Sequence, residues 1–204
     1  LTKPFPDRHV AFAKHVVDSG EFSFAPLDFK NADKFIDDIT TVFNDVWSVF
    51  HAGYVKVDRS EFVKMFADLK PIVNPNFIWF VYKDGYPIGM EVCLPDLNRI
   101  IKPFKGKLNL FNKLKLVTSI KKVDRARLLV FGINPDFHKS GVTAALYWQM
   151  TESLKKAGVK ELEMSWVGDY NPTVNKLYKH LGNSVHAKTH ATFRYMIDKN
   201  CEFE

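Results

Sequence analysis

The stretch from residue 126 to residue 167 constrains the chain most. Residues 126–133 are an almost unbroken apolar run, the mark of a strand covered on both faces. The run stops at Asn134-Pro135, and a short polar loop leads to a lone glycine, Gly141. Residues 142–157 then carry Leu146, Met150 and Leu154 on one helical face, with Gly158 where a C′ glycine belongs. Residues 161–167 alternate as a strand. Strand, helix and strand in that order give a parallel pair joined by a right-handed crossover. The glycine has two readings that the residues leave open. It relieves the turn from strand to helix, or it opens a loop that holds a phosphate.

The flanking pattern sets this unit in a mixed sheet. Phe35, Ile36, Ile39, Val42, Phe43, Val46, Trp47 and Phe50 recur at helical spacing behind Asn31, a prospective N-cap. Asp58 and Glu61 resemble a capping box ahead of Phe62, Met65, Phe66 and Leu69, and Pro71 closes that helix. Residues 77–82 and 87–94 read as strands joined by Asp84-Gly85, a hairpin turn signal. Residues 172–181 read as a short helix closed by Gly182, and 184–186 and 191–197 as two final strands. Residues 7–17 suit a helix ended by Gly20, and the rest of 1–30 has no clear pattern. The expectation is one α/β domain over 1–204: an N-terminal extension to 30, a helical segment at 31–76, and a core at 77–197. That core is a mixed sheet flanked by helices, interrupted by a basic insertion at about 95–125.

Composition narrows the class. The 204 residues are 46% hydrophobic and include 18 Phe, enough for a real core. The two cysteines, Cys93 and Cys201, are far apart and show no metal spacing. No signal peptide opens the chain, and no apolar run nears the roughly 20 residues of a membrane span. Together these point to a reducing, cytoplasmic setting and to no metal site. The first residue is Leu1 rather than Met, which fits a piece of a longer protein. The formal net charge of +6 favours anionic partners.

Two motifs then give the loop a context. Residues 138–143 read His-Lys-Ser-Gly-Val-Thr, and residues 171–182 read Asn-Pro-Thr-Val-Asn-Lys-Leu-Tyr-Lys-His-Leu-Gly. The first resembles the Arg/Gln-x-x-Gly-x-Gly/Ala loop of GNAT acyltransferases, with His138 and Thr143 as departures. The second resembles that family's Asn-x-x-Ala-x-x-Leu-Tyr-x-x-x-Gly-Phe pattern. It matches at Asn171, Leu177, Tyr178 and Gly182 and departs at Val174 and Asn183. The likeness covers roughly 77–197. The whole chain also resembles the C-terminal half of uncharacterised bacterial GNAT-like proteins, in Phe24-Ala25-Pro26-Leu27-Asp28, in the turn from Leu94 to Asn98, and in Ser165-Trp166.

The resemblance implies a GNAT-like fold and an N-acyltransferase. Its donor is acetyl-CoA or another acyl-CoA, and its acceptor a small-molecule or peptide amine. It implies that His138, Lys139, Ser140, Gly141, Val142 and Thr143 hold the pyrophosphate through backbone N–H groups, with Lys139 adding charge. It implies that strand amides around Gly132, Ile133 and Asn134 polarise the thioester. Asn171 would bond the CoA arm, and Tyr178 would protonate the departing thiolate. Asn171 suits an N-cap ahead of Pro172 equally well. The base that takes the amine's proton is sought among carboxylates on or beside the strands, Glu91, Glu163, Asp96 and Asp169, or in a water relay. Asp96, Asn98, Trp166 and Asp169 are expected near the acceptor.

Residues 99–127 hold ten Lys or Arg against one acid, Asp124, interleaved with Phe104, Leu108, Leu110, Phe111, Leu114 and Leu116. The segment reads as a solvated basic face, as a dock for an acidic carrier protein or a membrane surface, or as a lid on the acceptor pocket. No motif points to nucleic acid. Two further functions stay open: a GNAT-like domain that binds without catalysing, and one half of a tandem-GNAT transferase using a carrier-bound donor such as charged tRNA.

Overall fold

The computed structural model describes the chain except for Lys3, residues 50–52, Trp166, Tyr170, Gly182, Asn183, Thr192, Arg194, Met196 and residues 198–204. The chain divides into two compact units, Leu1–Ser165 and Trp166–Glu204.

The first unit is built on a five-stranded sheet, in the order β1 (Ser23–Pro26), β2 (Ile78–Lys83), β3 (Tyr86–Pro95), β4 (Arg125–Ile133), β5 (Glu161–Met164). Neighbours from β1 to β4 are antiparallel, and β4 and β5 are parallel. The crossover between the parallel pair is α6 (Val142–Lys156), the helix that the strand–helix–strand pattern required. The β2–β3 hairpin turns at Asp84 (φ 50°) and Gly85 (φ 81°), the paired positive φ of a type I′ turn.

Strand alternation sorts the sheet's side chains onto two faces. Phe80, Tyr82, Met90 and Val92 pack with Phe35, Val42 and Val46 of α2 (Ala32–Trp47). Val81, Ile88 and Ile133 face the other way, with Val142, Ala145 and Leu146 of α6 and Val16 of α1 (Asp7–Asp18). Gly132 lets α2 approach, since a Cβ there would stand 2.8 Å from the Trp47 ring. The helix α3 (Arg59–Leu69) packs beside α2.

Several local expectations are corrected. Asn31 makes no capping bond; Asp28 instead accepts from Lys30 N and Asn31 Nδ2, each at 2.9 Å, and starts a 3-10 turn that runs into α2. Asp58 does cap α3, but through Ser60 N at 2.8 Å, while Glu61 turns to Lys64 at 3.1 Å and leaves the capping box incomplete. Strand β1 carries no signal that the sequence reading found. The basic insertion folds as α4 (Asn98–Ile101) and α5 (Leu110–Ser119), each followed by a 3-10 turn. Among the described residues of 184–197 none is in a strand. Alternation there shows which side chains would share a face, but a strand also needs an edge to pair with. In the second unit, α7 (Pro172–Leu181) spans the expected range.

Candidate active site

The strand β4 is not regular. Val92 pairs with Val130 but Cys93 pairs with Leu128, so Leu129 is an extra residue, a β-bulge. Beyond it the peptide groups can be assigned by alternation. Asn134 N–H donates to Ile88 O at 2.8 Å, so Gly132 and Val130 also turn their peptide groups towards β3. Phe131 and Ile133 turn theirs to the opposite edge. On that edge the ladder with β5 ends at Leu128, whose carbonyl accepts from Ser165 N at 3.1 Å. The amides of Phe131 and Ile133 therefore face a stretch where β5 no longer runs. This shifts the expected donors by one residue. Asn134 N–H is already used and Gly132 faces β3, so of the expected trio only Ile133 offers an amide, and Phe131 joins it.

The loop after β4 is tied down by its own side chains. Asn134 Oδ1 accepts from Asp136 N at 3.0 Å and starts a 3-10 turn. His138 Nε2 lies 2.9 Å from Ile133 O; a carbonyl only accepts, so Nε2 carries the proton. Ser140 Oγ donates to Phe137 O at 2.8 Å and accepts from Val142 N at 3.3 Å. Among the described residues, the backbone N–H groups of Lys139, Gly141 and Thr143 have no protein acceptor. They sit at the N-terminus of a 15-residue helix, where unpaired donors and the helix dipole favour an anion.

Gly141 has a reason within the fold itself. Its φ is +83°, and a Cβ there would stand 2.6 Å from Phe12 Cζ and 3.0 Å from Val16 Cγ2. The glycine is needed by the backbone and by the docking of α1, on the protein side of the loop.

The candidate carboxylates fall on opposite faces of the sheet. Glu91 is fully buried, pairs in register with Phe131, and therefore lies on the α6 face. Neither of its oxygens has a hydrogen-bond partner among the described residues. Burial pushes its carboxyl well above the ordinary range, and burial together with the nearby Glu91 raises the Cys93 thiol. Glu163 lies on the other face, ion-paired to Arg125 and, at 3.7 Å, to Arg127. Asp96 is buried. It accepts from Asn98 N at 3.2 Å and Asn98 Nδ2 at 2.8 Å, and sits 3.4 Å from Arg125 Nε. The structure thus gathers Asp96, Asn98 and Glu163 around Arg125 and sets Glu91 apart from them. Paired in this way, Asp96 and Glu163 anchor the start of α4 and the end of the sheet. The arginines that hold them were missed because a lone Arg in a strand carries no sequence signal for its partner.

In the second unit, Asn171 Oδ1 accepts from Val174 N at 3.1 Å, which makes it the N-cap of α7. Tyr178 is half-buried on that helix, and its carbonyl accepts from Ser184 Oγ. Asp169 is exposed. Trp166 lies outside the described residues.

The central strand is bulged, its far-edge amides beyond the bulge have no acceptor among the described residues, and a helix start ready for an anion follows. The profile of the acetyltransferase (GNAT) family matches residues 39–182. The chain belongs to the GNAT family. Among curated relatives, the bacterial ceramide synthase of Caulobacter vibrioides (strain NA1000 / CB15N) is 30% identical over 173 residues, 82% of this chain and 44% of that one. Protein YghO of Escherichia coli (strain K12) is 27% identical over 147 residues, 69% of this chain and 37% of that one. The chain thus spans under half the length of these relatives. Among solved structures, the aminoglycoside acetyltransferase meta-AAC0020 from an uncultured soil metagenomic sample has a TM-score of 0.55 at 10% identity, covering 88% of this chain and all of that one (100%). The aminoglycoside 6'-N-acetyltransferase AAC(6')-IG of Acinetobacter haemolyticus gives 0.53 at 15%, covering 86% and 99%. At such identities these neighbours establish the GNAT fold alone.

Proposed function

We propose that this GNAT chain is an N-acyltransferase that moves an acyl group from a CoA thioester to an amine. The observation that carries the reading is a series of donors with no acceptor among the described residues: the amides of Phe131 and Ile133 on β4, then those of Lys139, Gly141 and Thr143 at the start of α6. The strand amides suit the oxygen of a thioester and of the oxyanion formed from it. The helix start suits a pyrophosphate. The amine nitrogen attacks the carbonyl carbon, the C–N bond forms, and the C–S bond breaks. The nitrogen gives up a proton and the thiolate takes one. Tyr178 is the acid that the family motif implies. Of the four carboxylates, Glu91 alone is both buried and, among the described residues, without a cation or hydrogen-bond partner, and it is the base we favour. A ceramide is an N-acylated long-chain amino alcohol, so the name of the Caulobacter relative fits transfer to an amine.

The test is thermal unfolding of the purified chain with CoA, acetyl-CoA and a long-chain acyl-CoA, beside Lys139→Glu. A concentration-dependent rise in Tm that the variant weakens, with its ligand-free Tm unchanged, supports the reading. No rise with any thioester sinks it. A second reading has the chain as one half of a larger transferase, favoured by relatives more than twice its matched length. Under that reading, thioester binding appears only with the remainder of the protein present.

A further inference from the structure

Between the α2 face of the sheet and helices α2 and α3 lies a cavity of about 130 Å³, about 810 Å³ when its open mouth is included. Its walls are Phe35, Ile39 and Phe43 from α2, Phe66 from α3, and Val92 and Leu94 from β3, among other apolar side chains; among the described residues Lys70 is the one charged residue in the lining. Leu129, the bulge residue, and Met65 line it where they are 46% and 42% exposed. The wall from Phe35 to Phe43 covers about 12 Å of helix axis. The shape is long and the lining offers almost nothing to a polar group.

A second observation gives the cavity a direction. Leu94 pairs with Arg127, and Arg127 with Glu163, so this row lies on the cavity's side of the sheet. Arg127 Nε is buried without a hydrogen-bond partner among the described residues. Next to Leu94 in the cavity wall, the same row thus carries a cation whose Nε has no partner among the described residues, and then a carboxylate. We propose that the cavity holds a linear alkyl chain and that Arg127 and Glu163 meet the polar end of the same molecule. This rests on the acyl-transfer reading only for which substrate owns the chain, donor or acceptor.

The experiment is calorimetric titration of the chain with two series, acyl-CoAs and n-alkylamines of increasing length below their micellar range. Each buried methylene should tighten binding by up to about four-fold. Ile39→Trp, which fills the slot, should flatten the dependence while leaving the shortest members unchanged. If that variant does not fold, Leu129→Glu at the half-exposed mouth replaces it. A steep acyl-CoA series assigns the chain to the donor, and a steep alkylamine series to the acceptor. Steep alkylamine binding without any CoA binding keeps the alkyl site and removes the CoA reading. Flat series for both, or slopes unchanged in a well-folded slot variant, overturn the alkyl site.

An independent observation concerns α5. Leu110 and Phe111 are 80% and 82% exposed, and Leu114 and Val117 continue the same outward stripe. Lys113 and Lys115 flank the stripe, and Lys105, Lys107, Lys121 and Lys122 lie at its ends, all exposed. We infer that α5 docks on an anionic lipid surface, apolar stripe inward and lysines at the headgroups. Sedimentation with phosphatidylcholine vesicles, with and without phosphatidylglycerol, tests it. Binding should require phosphatidylglycerol, weaken in salt, fall about five-fold for each lysine neutralised, and vanish in Phe111→Asp/Leu114→Asp. No vesicle binding, vesicle binding indifferent to these changes, or binding of an added acyl carrier protein in place of vesicles overturns it.

Discussion

Glu91 stands directly across the ladder from Phe131: the side chain of the first has no partner among the described residues, and the amide of the second faces the open edge of β4. A buried carboxyl of this kind makes stability depend on pH. Its ordinary value is 4.5 and its folded value is well above that. Between the two, the unfolded chain has released the proton and the folded chain still holds it, so stability falls as pH rises through the window, by about 1.4 kcal/mol per unit. Glu91→Gln removes the titration. Urea unfolding from pH 4.5 to 8 should show similar stability at the acid end and a more stable variant at the basic end. Parallel slopes would show that Glu91 does not titrate as described. If Glu91 is the base, the same variant loses about 10²–10⁴ in kcat.

Replacing His138 by Ala leaves the Ile133 carbonyl without its donor at the head of the anion loop. A loss of about 1 kcal/mol in unfolding free energy is expected. Thioester affinity should fall with it, read from the same ligand titration. A variant that binds as the wild type does would separate the loop's anchoring from its use.

Gly141→Ala combines a positive φ with a Cβ pressed on Phe12. The φ alone costs about 1–2 kcal/mol. Phe12 is half exposed and is able to swing away, so Gly141→Ala in a Phe12→Ala background should recover the steric part and keep the backbone part. Chemical denaturation of the four proteins in this cycle gives both numbers.

On the α2 face, Tyr82 Oη donates to the buried Asp38 at 2.7 Å, and Lys34 Nζ lies 4.3 Å from the Tyr82 ring centroid. Burial and the Asp38 carboxylate push the phenol far above its usual range. Tyr82→Phe should cost about 1.5–3 kcal/mol, the range for a hydrogen bond to a charged group. The loss should shrink when Asp38 is also replaced by Asn.

For Tyr178, a proton donor to a leaving group acts on turnover. Tyr178→Phe should lower kcat by about 10²-fold with little change in KM for the thioester. An unchanged kcat with a raised KM or a lowered Tm would assign the tyrosine to packing on α7.

What could be read without coordinates was whatever is written locally. The β4–α6–β5 crossover follows from an apolar run, a glycine and a return strand. The β2–β3 hairpin follows from Asp84-Gly85, and the family from two motifs. The bulge at Leu129 was hidden because Leu128-Leu129-Val130-Phe131 is apolar whichever residue is extra, and only the partner strand says which. For the same reason the donors were placed on Gly132 and Asn134 instead of Phe131. Glu91 and Glu163 looked alike as alternating acids. Arg125 and Arg127, which set them apart by neutralising only Glu163, act across strands, where sequence distance says nothing. Gly141 was legible as a glycine but not as the seat of α1, a contact made from 129 residues away.

The extra residue in β4 re-times everything after it. A strand repeats every two residues, so one insertion exchanges inside and outside for the remainder. Before Leu129, the odd-numbered Arg125 and Arg127 point to the α2 side; after it, the odd-numbered Phe131 and Ile133 point to the α6 side. A single strand thereby supplies a charged row to one surface and apolar cover to the other without any change in its apparent rhythm. Losing one codon here would turn Phe131 and Ile133 out of the α6 core and rotate their amides back into the sheet, erasing the open edge while leaving every named motif of the chain intact.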